Sequence, residues 1–154
     1  MKNKIVFIGL LLAILTSCAS TKQYQAFTHG TTLDSTKGRI YVIRPSGMTG
    51  AAIKTKIYCN GLLIGNTGNN SYLCWDAPEG TYRIGTTQQT RLYTGADVGS
   101  AGDEDAFVVK VTPGKTYYIK QYPRFGGFSF ELMSPKDGEK AVKKKKTPKV
   151  NYAE

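Results

Sequence analysis

Ile53-Lys-Thr-Lys-Ile-Tyr-Cys59, then Asn60-Gly61, then Leu62-Leu-Ile-Gly65, is the stretch whose alternation and tight turn decide the fold class. Ile53, Thr55, Ile57 and Cys59 fall on one face and Lys54, Lys56 and Tyr58 on the other, the pattern of a half-buried strand. Asn and Gly both tolerate positive φ, so Asn60-Gly61 predicts a hairpin turn with Leu62 to Gly65 as its returning arm.

The same grammar runs outward on both sides. Arg39 to Arg44 (RIYVIR) reads as a strand closed by Pro45, and Ser46 to Gly50 as a turn-rich loop. Further strands are expected at Ser71 to Trp75, Thr81 to Thr87, Asp105 to Val111, Lys115 to Tyr122 and Gly127 to Leu132, with turns at Asn66 to Asn70 and Asp76 to Gly80. Thr112-Pro113-Gly114 predicts a turn that pairs its flanking strands antiparallel, and Gly126-Gly127 a bulge. The segment from Thr90 to Asp105 gives no clear element. Ten Tyr and 17 Gly agree with strands and turns. Seven or eight short strands with no long helix between them predict an all-β domain, either a two-sheet sandwich or a barrel.

The N-terminus has a different character. Met1-Lys-Asn-Lys4 is positively charged and Ile5 to Leu15 (IVFIGLLLAIL) is apolar, too short for a membrane-crossing helix of about 20 residues. It reads as the hydrophobic part of an export signal. Leu15-Thr16-Ser17-Cys18 resembles a lipobox, the motif at which bacterial lipoproteins receive a diacylglycerol on the cysteine thiol before the signal is cut. Two acyl chains hold a soluble domain on a bilayer far better than one. The resemblance implies residues 1–17 as a signal peptide, lipidation at Cys18 and a membrane partner through covalent lipid. Ala19 is not the Asp that marks inner-membrane retention in enteric bacteria, which points to the outer membrane; a domain facing the periplasm is the accompanying expectation. Residues 18–37 are polar without periodicity and read as a lipidated tether.

The chain has 154 residues, so cleavage before Cys18 leaves 154 − 17 = 137, enough for one domain over residues 38–142. The formal charge is +10, and removing Lys2 and Lys4 leaves about +8. From Lys136 to Lys149 seven Lys stand against Asp137 and Glu139, a net 7 − 2 = +5 in one short stretch. Residues 143–154 are therefore expected to form a disordered basic tail. With no basic helix or ribonucleoprotein-type strand motif, the charge does not argue for nucleic acid.

Arg39-Ile-Tyr-Val-Ile-Arg-Pro45, Asn60-Gly61 with Gly65 following, the Pro78-Glu-Gly80 turn before Tyr82, and Pro113-Gly-Lys-Thr-Tyr-Tyr118 resemble the uncharacterised bacterial domain called domain of unknown function 2846. The resemblance covers about residues 38 to 142. It implies a small immunoglobulin-like β-sandwich that often follows a lipobox, and it supplies no catalytic residue. The repeated Pro-Gly turn with Thr-Tyr-x-Ile, at Thr81 to Ile84 and Thr116 to Ile119, reads as shared turn-and-strand grammar.

Sites are sparse in the sequence. His29, the single histidine, sits in the tether without a triad partner and reads as solvent-exposed. Asp97 with Asp103-Glu104-Asp105 lacks EF-hand spacing and reads as a solvated acidic loop, and no phosphate loop or zinc cluster is visible. No catalytic residue, metal or cofactor is expected. A disulfide between Cys59 and Cys74 requires their strands to be neighbours or to face each other across the sandwich, and two buried free thiols are the alternative; in a simple meander the arm at Leu62 would hold them about 10 Å apart. Alternation buries Tyr117, Phe128 and Phe130 and leaves some of Tyr118, Tyr122 and Phe125 exposed, candidates for stacking on cell-wall glycan or for contact with an envelope protein. The leading expectation is a non-catalytic, lipid-anchored module acting by binding or structural contact; a glycan or peptidoglycan binder stands second and an unrecognised hydrolase third.

Overall fold

The computed structural model of the protein describes residues 26–86, 106–125, 127–146 and 151. Among the described residues, eight strands and one helix follow in order: β1 Lys37–Arg44, β2 Thr55–Cys59, β3 Leu62–Thr67, β4 Ser71–Pro78, β5 Gly80–Gly85, β6 Phe107–Val111, β7 Thr116–Arg124, β8 Gly127–Leu132 and α1 Pro135–Lys143. They form two four-stranded sheets, β4-β1-β7-β8 and β3-β2-β5-β6, so the fold is an all-β sandwich.

The hairpin that opened the sequence reading folds as expected. Asn60 and Gly61 both have positive φ (48° and 77°), the type I′ signature whose twist matches the flanking strands. Thr55, Ile57 and Cys59 point inward, while Ile53 lies before the strand and is exposed. The inner faces meet in one apolar core that includes Ile40, Val42, Ile57, Trp75 and Ile119.

Two pairings differ from expectation. The strands flanking Thr112-Pro113-Gly114 do not pair with each other: β6 pairs with β5, and β7 runs parallel to β1 and antiparallel to β8. Pro113 followed by Gly114 at φ +73°, with the Lys115 amide donating to the Thr112 carbonyl, is a type II pattern. Such a turn splays its strands instead of matching their twist, and here it sends the chain into the opposite sheet. The simple meander also fails, because β3 and β4 belong to different sheets.

The helix was not anticipated. Ser134 caps it by accepting from the Asp137 amide, and Pro135 opens it, a start that sequence rules favour. It lies across the outer face of the β4-β1-β7-β8 sheet, where Val142 joins Tyr41, Ile43, Tyr72, Cys74 and Tyr118 in a second core. Gly138 permits this approach, since a β-carbon there would collide with Cβ and Cγ of Tyr118. Central strand β1 is consequently buried on both faces.

Candidate functional site

The outer face of the β4-β1-β7-β8 sheet carries a connected set of polar side chains, with Arg39 and Asn151 buried among them. Arg39 and Asp76 sit opposite each other on β1 and β4 and pair through two bonds, Nε to Oδ1 at 2.7 Å and Nη2 to Oδ2 at 2.9 Å. Thr28 Oγ1 donates to Asp76 Oδ1 at 2.8 Å, and Arg39 Nη1 donates to the Thr31 carbonyl at 2.8 Å. Burial alone would raise the Asp76 carboxyl, but the bonds from Arg39 and Thr28 outweigh it and hold it below the usual carboxylate range. The bond to Asp76 likewise raises the Arg39 guanidinium. These contacts lash residues 28–31 to the sheet.

His29 belongs to the same strap, which corrects its reading as a solvent-exposed tether residue. Its Nδ1 lies 2.8 Å from the Tyr41 hydroxyl, and its ring packs edge-on against Tyr41 and Tyr72. Tyr41 in turn stacks on Tyr118 with centroids 5.0 Å apart. Burial pushes the Tyr41 and Tyr118 hydroxyls above their ordinary values, so both stay neutral.

The C-terminal stretch reaches this face as well. The Asn151 side-chain amide accepts from the Cys74 amide at 3.0 Å and donates to the Cys74 carbonyl at 2.9 Å, the two bonds a neighbouring strand residue would make. Thr28 also donates its amide to the Cys74 carbonyl. The edge of β4 is thus closed at its centre by both ends of the folded body, a device that blocks strand addition by another chain. Lys145 Nζ donates to the Arg44 carbonyl at 2.9 Å and to Asn70 Oδ1 at 2.8 Å. Two residues of the stretch read as a disordered basic tail, Lys145 and Asn151, therefore hold defined places, because the backbone at the sheet's end and edge offers them polar partners.

Cys59 and Cys74 are free and buried, so the disulfide alternative is corrected. Cys59 points into the core between the sheets, whereas Cys74 points to the outer face beneath the N-terminal strap. Burial pushes the Cys59 thiol up to about 12 and raises Cys74 as well, which leaves both poor nucleophiles.

Of the three aromatics proposed as an exposed platform, Tyr118 is buried under α1, Tyr122 is half-buried, and Phe125 alone stands fully in solvent. Periodicity correctly turned Tyr118 away from the inner core but could not see the helix that covers it. Cys18, Asp97, Gly126 and the Asp103 to Asp105 run lie outside the described residues. Among the described residues no group of three or more His, Cys, Asp or Glu stands close enough to hold a metal ion.

A pocket of about 240 Å³ opens at the end of the sandwich that carries the β2–β3 turn. Trp75, Tyr82, Leu62 and Ile64 line it, with the Cys59 thiol among them. At the opposite end Arg44 lies inside the sandwich, donating to the carbonyls of Gly50, Ile53 and Thr67 with its guanidinium 4.7 Å over the Phe128 ring. Arg44 thereby pins the loop of residues 45–54 across that end, a role no sequence pattern announced.

Against known proteins, residues 34–133 match a family described as "Protein of unknown function (DUF2846)". An uncharacterized protein of Haemophilus influenzae is 25% identical over 149 residues, covering 93% of this chain and 81% of its own length. No solved structure matches.

Proposed function

We propose that this chain, which belongs to the family described as protein of unknown function DUF2846, is a lipid-anchored, non-catalytic module of the bacterial cell envelope that acts by contact. The observation that carries this reading is Leu15-Thr16-Ser17-Cys18 directly after the apolar run Ile5 to Leu15. The described body begins at Ala26, eight residues beyond Cys18. Eight fully extended residues reach at most about 28 Å, so a lipid on Cys18 would keep the sandwich within roughly its own width of the bilayer. Raised thiols and a histidine engaged in ring packing support a contact role over a chemical one. Ala19 after the cysteine supports the outer membrane as the location, and a periplasm-facing domain belongs to the same proposal. The immunoglobulin-like character of the sandwich belongs to the same proposal, resting on the family resemblance together with the two four-stranded sheets.

Expression of the full chain with an alkyne fatty acid tests the anchor. The wild-type protein is expected to label and to sediment with outer membranes, and Cys18→Ala to lose both properties. Undiminished labelling of Cys18→Ala would end the lipoprotein reading.

A further inference from the structure

Four independent features converge on the end of the sandwich that holds Arg44. The first is the direction of the N-terminal strap. Phe27 packs on Tyr72, Thr28 bonds at Cys74 and Asp76, and Thr31 meets Arg39, so the strap runs away from this end and its Phe27 side lies nearer to it. The second is apolar exposure. Met48 in the 45–54 loop and Phe125 in the β7–β8 turn are 97% and 105% exposed, and Ile53 is 54% exposed. These apolar side chains at the loop tips of one end offer a partner apolar surface to bury.

The third feature is charge. Helix α1 ends here, with Lys145 held at the Arg44 carbonyl and Asn70, which sets the exposed Lys143, Lys144 and Lys146 beside the loops. The segments that build this end, residues 44–55, 66–71, 121–128 and 141–146, contain Arg44, Lys54, Arg124 and Lys143 to Lys146 and no Asp or Glu. Asp34, Asp76 and Glu79 lie toward the other end, beside the start of β1 and the end of β4, while Glu131, level with Ile43, is paired with Lys120, and Asp137 and Glu139 sit earlier in α1. The fourth feature is fixity: Arg44 bonds to the carbonyls of Gly50 and Ile53, so the Met48 loop is held on a frame.

We propose that this end docks on an anionic phospholipid bilayer, with Phe125, Met48 and Ile53 at the boundary of headgroups and acyl chains and Lys143, Lys144 and Lys146 against the phosphates. The proposal rests on the lipid-anchor reading for its setting, but the face is chosen by geometry alone. An apolar tip with a basic rim is the combination that holds peripheral domains at such an interface. Each lysine near an anionic surface strengthens binding roughly fivefold at low salt, so three contribute about a hundredfold.

The test uses a chain beginning at Ala19, which keeps every contact described above because all lie within residues 26–151. Flotation is measured with vesicles of phosphatidylglycerol in phosphatidylcholine and of phosphatidylcholine alone, at low and high salt. The unlipidated chain is expected to bind only the anionic vesicles and to release at high salt. Replacing Lys143, Lys144 and Lys146 with Gln should weaken binding about a hundredfold, and Met48→Ser with Phe125→Ser at least tenfold. Val108→Ser, at an exposed apolar site on the outer face of the other sheet, should change nothing. In Phe125→Trp the added fluorescence should shift to the blue and be quenched by brominated lipid. Absence of wild-type binding, or equal binding by the wild type and both tip and lysine variants, overturns the proposal. A dimer in sedimentation that Met48→Ser with Phe125→Ser abolishes, without vesicle binding, overturns it too and makes this end a self-association face. Fatty-acid labelling at Cys18 is read separately, so failure of either claim leaves the other standing.

Discussion

One face of the β4-β1-β7-β8 sheet is covered by strands and the other by the two ends of the folded body. The inner face is mainly apolar, with Ile40, Val42, Leu73, Trp75 and Ile119 meeting a second sheet that satisfies its own backbone, and its polar side chains Arg44 and Gln121 are paired with that sheet and its loop. The outer face is aromatic and polar, with Tyr41, Tyr72, Cys74 and Tyr118 beneath a helix and two irregular segments. Irregular backbone brings unpaired amides and carbonyls, so burying it requires side chains that can bond to them. That is why Arg39, Asp76, Thr28 and Asn151 cluster on this face.

The largest expected effect comes from cutting the polar fastening and the apolar core separately. Ile119→Ala should cost about 3–4 kcal/mol by denaturant unfolding, equally at neutral and acid pH. Asp76→Asn should cost a similar amount, about 3–5 kcal/mol, at neutral pH, because it leaves the buried Arg39 without its carboxylate. The Asp76 carboxyl is held low in the fold, so its stabilisation is present above the unfolded value of about 4 and disappears as pH falls through the folded value. The gap between wild type and Asp76→Asn should therefore begin to narrow below about pH 4 and disappear once the pH has fallen through the lowered folded value. A gap that persists there would mean that the outer face is held by shape alone.

A middle-sized effect sharpens the comparison through its sign. Helix propensity predicts that Gly138→Ala stabilises the protein by about 1 kcal/mol. Contact with the Tyr118 ring predicts the reverse, a loss of about 1–3 kcal/mol by chemical denaturation. Stabilisation would show that α1 sits loosely on the sheet.

The smallest effect separates the two thiols. Asn151→Ala removes both bonds to the Cys74 backbone and should cost about 1–2 kcal/mol. Cys74 should then react with a thiol reagent faster than in the wild type, while Cys59 in the inner core keeps its protection. Equal acceleration at both cysteines would mean that the loss loosens the whole sandwich, erasing the distinction between the faces.

Much of the strand inventory was legible along the chain. The β8 bounds of Gly127 to Leu132, the alternation through β2 and the Asn60-Gly61 turn follow from backbone dihedral preferences and the two-residue repeat of side-chain direction. The start of α1 was also legible in Ser134-Pro135 with Asp137, although the lysine run after it masked the signal. The basic rim was visible as composition, but not its position beside Met48 and Phe125.

What the sequence determined by itself is local: where the chain extends, where it turns and which side chains share a side of each strand. Tertiary structure alone decided that β6 and β7 part into different sheets, that Tyr118 is buried, that Cys59 and Cys74 face different layers, and that His29 and Asn151 dock on one face. The physical reason is range. A φ preference or a period of two acts over a few residues, whereas the partners that bury Cys74 are Thr28, 46 positions before it, and Asn151, 77 positions after it. Only chain closure in three dimensions brings those groups together.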